Sequence, residues 1–151
     1  MSGSLRRAFM GLLLPVSRRL TLWLGCGGGC ACASQAAGVL YDNLWMHAEA
    51  AACYRQSITL LEAAAQPSKQ IRPLLRLAVS AMYRGGEVDA GFDSVTVAVR
   101  IDNELPATRL CLGIAKLARG DAKAGKKELG RVAEDMPLAA EVLAAMADTS
   151  G

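Results

Sequence analysis

Gly86-Glu87 and Ala90-Gly91 stand 34 positions before Gly120-Asp121 and Ala124-Gly125, so one turn and one pair of small residues recur in register. Self-similarity at a fixed period of roughly 20–50 residues marks units that cannot bury their apolar faces alone and stack on copies of themselves. The most complete unit runs from Pro106 to Pro137 and reads as two amphipathic helices hinged at Gly120-Asp121. Further upstream, Ala37-Gly38-Val39-Leu40-Tyr41 followed by His47 to Ile58 repeats the pattern a third time.

The residue types suit helices packed in pairs. Small side chains at one point on each helix let two backbones approach to about 8–10 Å while larger neighbours fill the grooves beside the contact. Gly113, Gly125, Ala50 and Gly91 are placed for that role. On the last full helix, Ala122, Gly125, Leu129, Val132, Ala133 and Met136 share one face of a 3.6-residue period, and Lys123, Lys126, Lys127 and Arg131 take the other. That lysine stripe reads as a solvated helix face.

These residues resemble the tetratricopeptide repeat, whose pattern places Leu-Gly and a Tyr on the first helix, Gly-Asp at the turn, and Ala, an aromatic and Ala on the second. The third unit matches through Leu112-Gly113, Gly120-Asp121, Leu129 and Pro137, and departs with Lys116 and Gly125. The first matches through Ala37-Gly38, Tyr41, Glu49-Ala50, Tyr54 and Ser57; the middle one keeps Ala78, Gly86-Glu87, Gly91, Val95 and Ala98. The resemblance implies an all-α fold of about three antiparallel helix pairs, a tetratricopeptide-like solenoid with a C-terminal capping helix.

Taken in order, the sequence predicts a first helix from about Ser34 to Asn43 and a second from about Met46 to Ala64, with Trp45 where a turn glycine is usual. Gln66-Pro67-Ser68 stops the second helix, and a third runs from about Lys69 to Arg84. Ser94 to Ile101 is rich in β-branched residues and alternates, which by itself argues strand. Register with the neighbouring repeats and the lack of a second strand to pair with it favour helix. Asp102 to Pro106 supplies a break and a cap, and Leu138 to Ala147 closes the array.

A chain of 151 residues suits one repeat domain, expected over residues 34–147, with a short disordered tail at 148–151. Residues 1–33 form a separate leader. Of the 17 basic residues, Arg6, Arg7, Arg18 and Arg19 lie there, so 13 remain against all 14 acidic ones and the repeat domain is near neutral. The basic excess is therefore no argument for nucleic-acid binding. Arginines, the apolar run Leu20 to Leu24 and Ala31-Cys32-Ala33 fit an export signal peptide cleaved before Ser34. An organelle transit peptide, a lipoprotein site at Cys26 and an over-extended start are the other readings. The protein is thus cytoplasmic if translation starts later, and otherwise periplasmic or organelle-targeted. No run of about 18 apolar residues exists to span a membrane.

The chemistry points to binding rather than catalysis. The sequence holds no phosphate-binding loop, no zinc-protease or nucleophile-elbow motif and a single histidine, His47. No cofactor, no metal site and no catalytic residue is expected. Three of the five cysteines fall in the leader, which makes no disulfide framework, and Cys53 and Cys111 read as small core residues. By position, the groove that the tetratricopeptide resemblance implies takes Arg76, Ser80, Tyr83 and Arg84 from the second unit and Leu110, Ile114 and Leu117 from the third. An apolar strip beside arginines suits an amphipathic helix of another protein with an acidic flank. Alternatively Leu110, Ile114 and Leu117 are covered by the chain's own last helix or by a second copy. The length, the three pairs and LAAEVLAAMA also resemble the small chaperones of type III secretion, which hold a needle subunit until release. An exported or organelle-targeted scaffold for complex assembly is the alternative.

Overall fold

A computed structural model describes residues 30–148, without the side chains of Arg84 and Asp148. The first 29 residues of the leader, Cys26 among them, and the tail beyond Asp148 lie outside the described residues. Among the described residues seven α-helices follow one another: α1 (Ala31–Asn43), α2 (His47–Ala63), α3 (Pro67–Val79), α4 (Val88–Ile101), α5 (Pro106–Ala118), α6 (Ala122–Val132) and α7 (Pro137–Asp148). A π-helical turn, Ser80–Gly85, prolongs α3. They pack as the hairpins α1/α2, α3/α4 and α5/α6, each stacked on the next, with α7 against α6. This is the all-α helical-hairpin array that the repeat implied.

Three of the corners share one construction. After α1, α2 and α5 a residue turns left-handed, namely Trp45 (φ 59°), Ala65 (φ 51°) and Gly120 (φ 88°). The amide that follows then donates to the carbonyl five residues back: Met46 N to Tyr41 O at 2.9 Å, Gln66 N to Leu61 O at 3.0 Å and Asp121 N to Lys116 O at 3.0 Å. Such bonds satisfy carbonyls that a helix end leaves unpaired. Trp45 thus does the work of the missing turn glycine. At the corner between α3 and α4 Gly86 has φ 68° and Glu87 N reaches six residues back, to Ala81 O at 2.9 Å, because the last turn is π-helical.

The close contacts fall where small residues were expected. A Cβ on Gly113 would sit 2.8 Å from Leu129 Cγ, and one on Gly125 would sit 2.6 Å from Leu117 Cδ2. Gly38 gives the same access to the Tyr54 ring, at 2.5 Å. Tyr54, Ala50, Val95, Ala98 and Leu129 are fully buried. Shared clusters tie the units together: Leu77 packs with Tyr41 and Tyr54 of the first hairpin, and Ala115 of α5 packs with Ala78, Met82 and Val95 of the second.

The ambiguous stretch 94–101 is helical. Val95 and Ala98 face the core, while Ser94 and Thr96 donate their hydroxyls to Ala90 O at 3.1 Å and Phe92 O at 2.9 Å one turn back. That local bond lets a threonine sit in a helix with little penalty. At the amino-terminal end, α1 starts at Ala31 rather than near Ser34. Ala33 is buried, and Ser57 Oγ donates to Ala31 O at 2.8 Å, so the first turn is anchored to α2. Cys30 and Cys32 bring their sulfurs together across that turn as a local disulfide.

Candidate functional site

The first helices of the three hairpins, α1, α3 and the start of α5, line a common groove of about 680 Å³. Its apolar lining comes from Val39, Ile71, Leu75, Val79, Leu105 and Ala107, and its charges are Asp42, Arg72 and Arg76. Helical spacing produces this mixture. Ile71, Leu74, Leu77 and Ala78 turn into the core, which leaves Arg72, Arg76 and Val79 on the opposite, exposed face of α3.

The groove rests on a hydrogen-bonded base. Asp42 of α1 accepts from Tyr54 Oη at 2.8 Å and from Ser80 Oγ at 2.9 Å, with His47 Nδ1 at 3.6 Å. The Tyr54 phenol is pushed well above its ordinary value, first by burial and then by its bond to Asp42 and that carboxylate's charge; the nearby Arg76 opposes both. It stays protonated and continues to donate. Ser80, at the start of the π-helical turn, thereby links the first and second hairpins through one carboxylate.

The seven groove residues expected from sequence do not form one cluster. Arg76 and Ser80 line the main groove. Tyr83, Ile114 and Leu117 line a second, apolar pocket of about 310 Å³ with Met82, Ala118 and Val142. Leu110 is only 6% exposed and packs with Leu129, Val132 and Ala139, so it belongs to the core beneath α7 and not to a groove. The side chain of Arg84 lies outside the described residues. Sequence reasoning missed Arg72, Leu75 and Val79. The spacing of Arg72, Arg76 and Val79 by four and three was a signal that could have found them.

A second polar cluster was also missed. Glu128 on α6 is 8% exposed and accepts from Lys116 Nζ at 3.0 Å and from Arg109 Nη1 and Arg131 Nη1 at 3.2 Å each. Burial alone would raise its carboxyl. The bond and charge of Lys116, then Arg131 and Arg109, outweigh burial and hold it below the usual carboxylate range. Lys116, which replaces the aromatic of the family pattern, is therefore a strut between α5 and α6. The thiols have no comparable activation. Burial pushes Cys111 up to about 11, and Cys53 is raised by burial and then by Glu49, so both stay protonated near neutral pH.

Stacked helical hairpins with a groove along their first helices define a tetratricopeptide-like fold. The first TPR of Spaghetti (RPAP3), solved bound to the HSP90 peptide SRMEEVD, superposes on this chain with a TM-score of 0.66, covering 79% of this chain and 94% of that one at 19% identity. No protein-family model matches the sequence. No curated protein matches it either. Among the described residues no helix is long and apolar enough to cross a membrane.

Proposed function

We propose that this protein is a non-catalytic interaction module whose groove holds an amphipathic helix of a partner protein by its acidic flank, in the manner of a chaperone or adaptor. The observation that carries this reading is the pairing of Arg72 and Arg76, one turn apart and exposed, with the apolar side chains of Leu75 and Val79 on the same helix. Asp42, the acidic member of the groove, already accepts two hydrogen bonds from the fold, so the charge left for a ligand is basic. An acidic residue answers the arginines while the ligand's apolar face covers Leu75, Val79 and Leu105. The Spaghetti domain supports an acidic peptide as ligand, since the peptide in its structure carries two glutamates and an aspartate.

The cargo of a secretion-needle chaperone, an aggregation-prone amphipathic helix, is one instance of this chemistry, and a scaffold for complex assembly is another. Mass spectrometry of the native amino terminus separates them, since a chain beginning at Ser34 after cleavage counts against the cytoplasmic chaperone. The test of the groove is fluorescence polarisation with a labelled amphipathic helical peptide bearing two adjacent glutamates. Arg72→Glu should weaken capture at least tenfold, and added salt should weaken capture by the parent chain. Binding that is unchanged by Arg72→Glu and insensitive to salt refutes the proposal. Arg72 is the cleaner probe, because Arg76 also neighbours the Tyr54 hydroxyl.

A further inference from the structure

The exposed face of α3 does not stop at the arginines but runs on into the π-helical turn that prolongs the helix. Arg72, Arg76, Val79 and Tyr83 follow at intervals of four, three and four, and all four are exposed, Tyr83 at 67%. The stripe spans 11 positions, roughly 16 Å at 1.5 Å per residue. It begins in the main groove and ends at the smaller apolar pocket, where Tyr83 and Met82 meet Ile114, Leu117 and Ala118 of α5 and Val142 of α7. At about 310 Å³ this pocket sits near the lower bound for ligand sites, about 300 Å³, so it suits one side chain rather than a whole ligand. Apart from the Tyr83 hydroxyl its lining side chains are apolar. A methionine beside an exposed tyrosine is also the kind of surface on which an apolar anchor is held.

Resting on the groove reading above, we infer that this pocket takes one large apolar side chain, leucine or phenylalanine, of the same partner helix, about three turns from the acidic residue that meets Arg72. The bound segment is therefore read at two points. Charge sets its position along the second half of α3, and apolar fit sets its register at the π-helical turn that follows. The basic end of the stripe selects the occupant, since a helix that pairs with Arg72 and Arg76 and lies along α3 is carried to Tyr83.

The experiment uses the full chain and three labelled helical probe peptides with the same glutamate pair: one with leucine about 11 positions away, one with alanine there, and one with the leucine moved about four positions closer. The unmodified protein should prefer the first by about tenfold. Tyr83→Ala and Ala118→Trp, each checked by circular dichroism for retained helix, should erase that preference. Arg72→Glu should weaken all three peptides. A preference that survives both pocket variants, or one that ignores spacing, overturns the inference while the groove reading stands. If Arg72→Glu leaves every peptide bound as before, the groove reading fails too. A parent chain that sediments as a dimer which Tyr83→Ala dissociates assigns the pocket to a second copy and likewise overturns the inference.

Discussion

The first and third hairpins reach the same close approach of two helices by different chemistry. In α1/α2 a glycine receives a ring: Gly38 lies under Tyr54, whose hydroxyl continues to Asp42 and, through Asp42, to Ser80 of the next hairpin. In α5/α6 two glycines each receive a leucine, Gly113 facing Leu129 and Gly125 facing Leu117, and the polar work passes to Glu128 and its three cations. In the first hairpin Tyr54 and Ser57 tie α2 to Asp42 and Ala31 of α1, and Asp42 carries the network on to Ser80 of the second hairpin. The polar bonds of the third lie within the hairpin and hold its own two helices together. Helix spacing is thus set by small residues at one point, and what surrounds that point is free to serve either the groove or the array.

Substitutions that break one hairpin should leave the other's signature intact. The largest effect is expected from Tyr54→Ala, which empties a fully buried ring position and strands Asp42; thermal or urea unfolding should show a loss of about 3–5 kcal/mol and weakened peptide capture. Gly113→Val forces a side chain into Leu129 and should cost about 2–3 kcal/mol in the same assay, with the groove's affinity unchanged once the chain is folded.

Glu128→Ala comes next, at about 2 kcal/mol, because three cations lose their shared acceptor. It carries a pH signature. The folded carboxyl is held below its unfolded value of about 4.3, so its stabilisation is complete above that value and is lost as pH falls through the lower folded one. The parent chain should therefore lose more stability on acidification than the Glu128→Ala variant, measured by unfolding at neutral and at low pH. The smallest effect is expected from Thr108→Val. Thr108 is fully buried and its hydroxyl has no hydrogen-bond partner among the described residues, so a methyl of the same shape should be neutral or raise stability by up to about 1 kcal/mol.

The repeat period made the hairpins and the close-packing residues Gly113, Gly125, Gly91 and Ala50 readable, since only small residues permit that approach. The corners were less readable. Trp45 and Ala65 adopt a left-handed conformation that composition assigns to glycine or asparagine, and they are held there by the backbone bonds around them. Of the residues expected in the groove, Arg76 and Ser80 line the cavity along α3. Leu110 lies in the core instead, because positional carry-over ignores which neighbour a side chain meets, and α6 and α7 bury that residue. Glu128 could not be recognised as buried without its partners, which come from both α5 and α6.

The central claim is that the face formed by α1, α3 and the start of α5 is where a partner helix lies. Amide NMR of the isotope-labelled chain during titration with the acidic amphipathic peptide tests it most directly. The largest shifts should gather at Val39, Arg72, Leu75, Arg76 and Val79. Shifts gathered instead on Lys123, Lys126 and Lys127 of α6, with the α3 face silent, would contradict it.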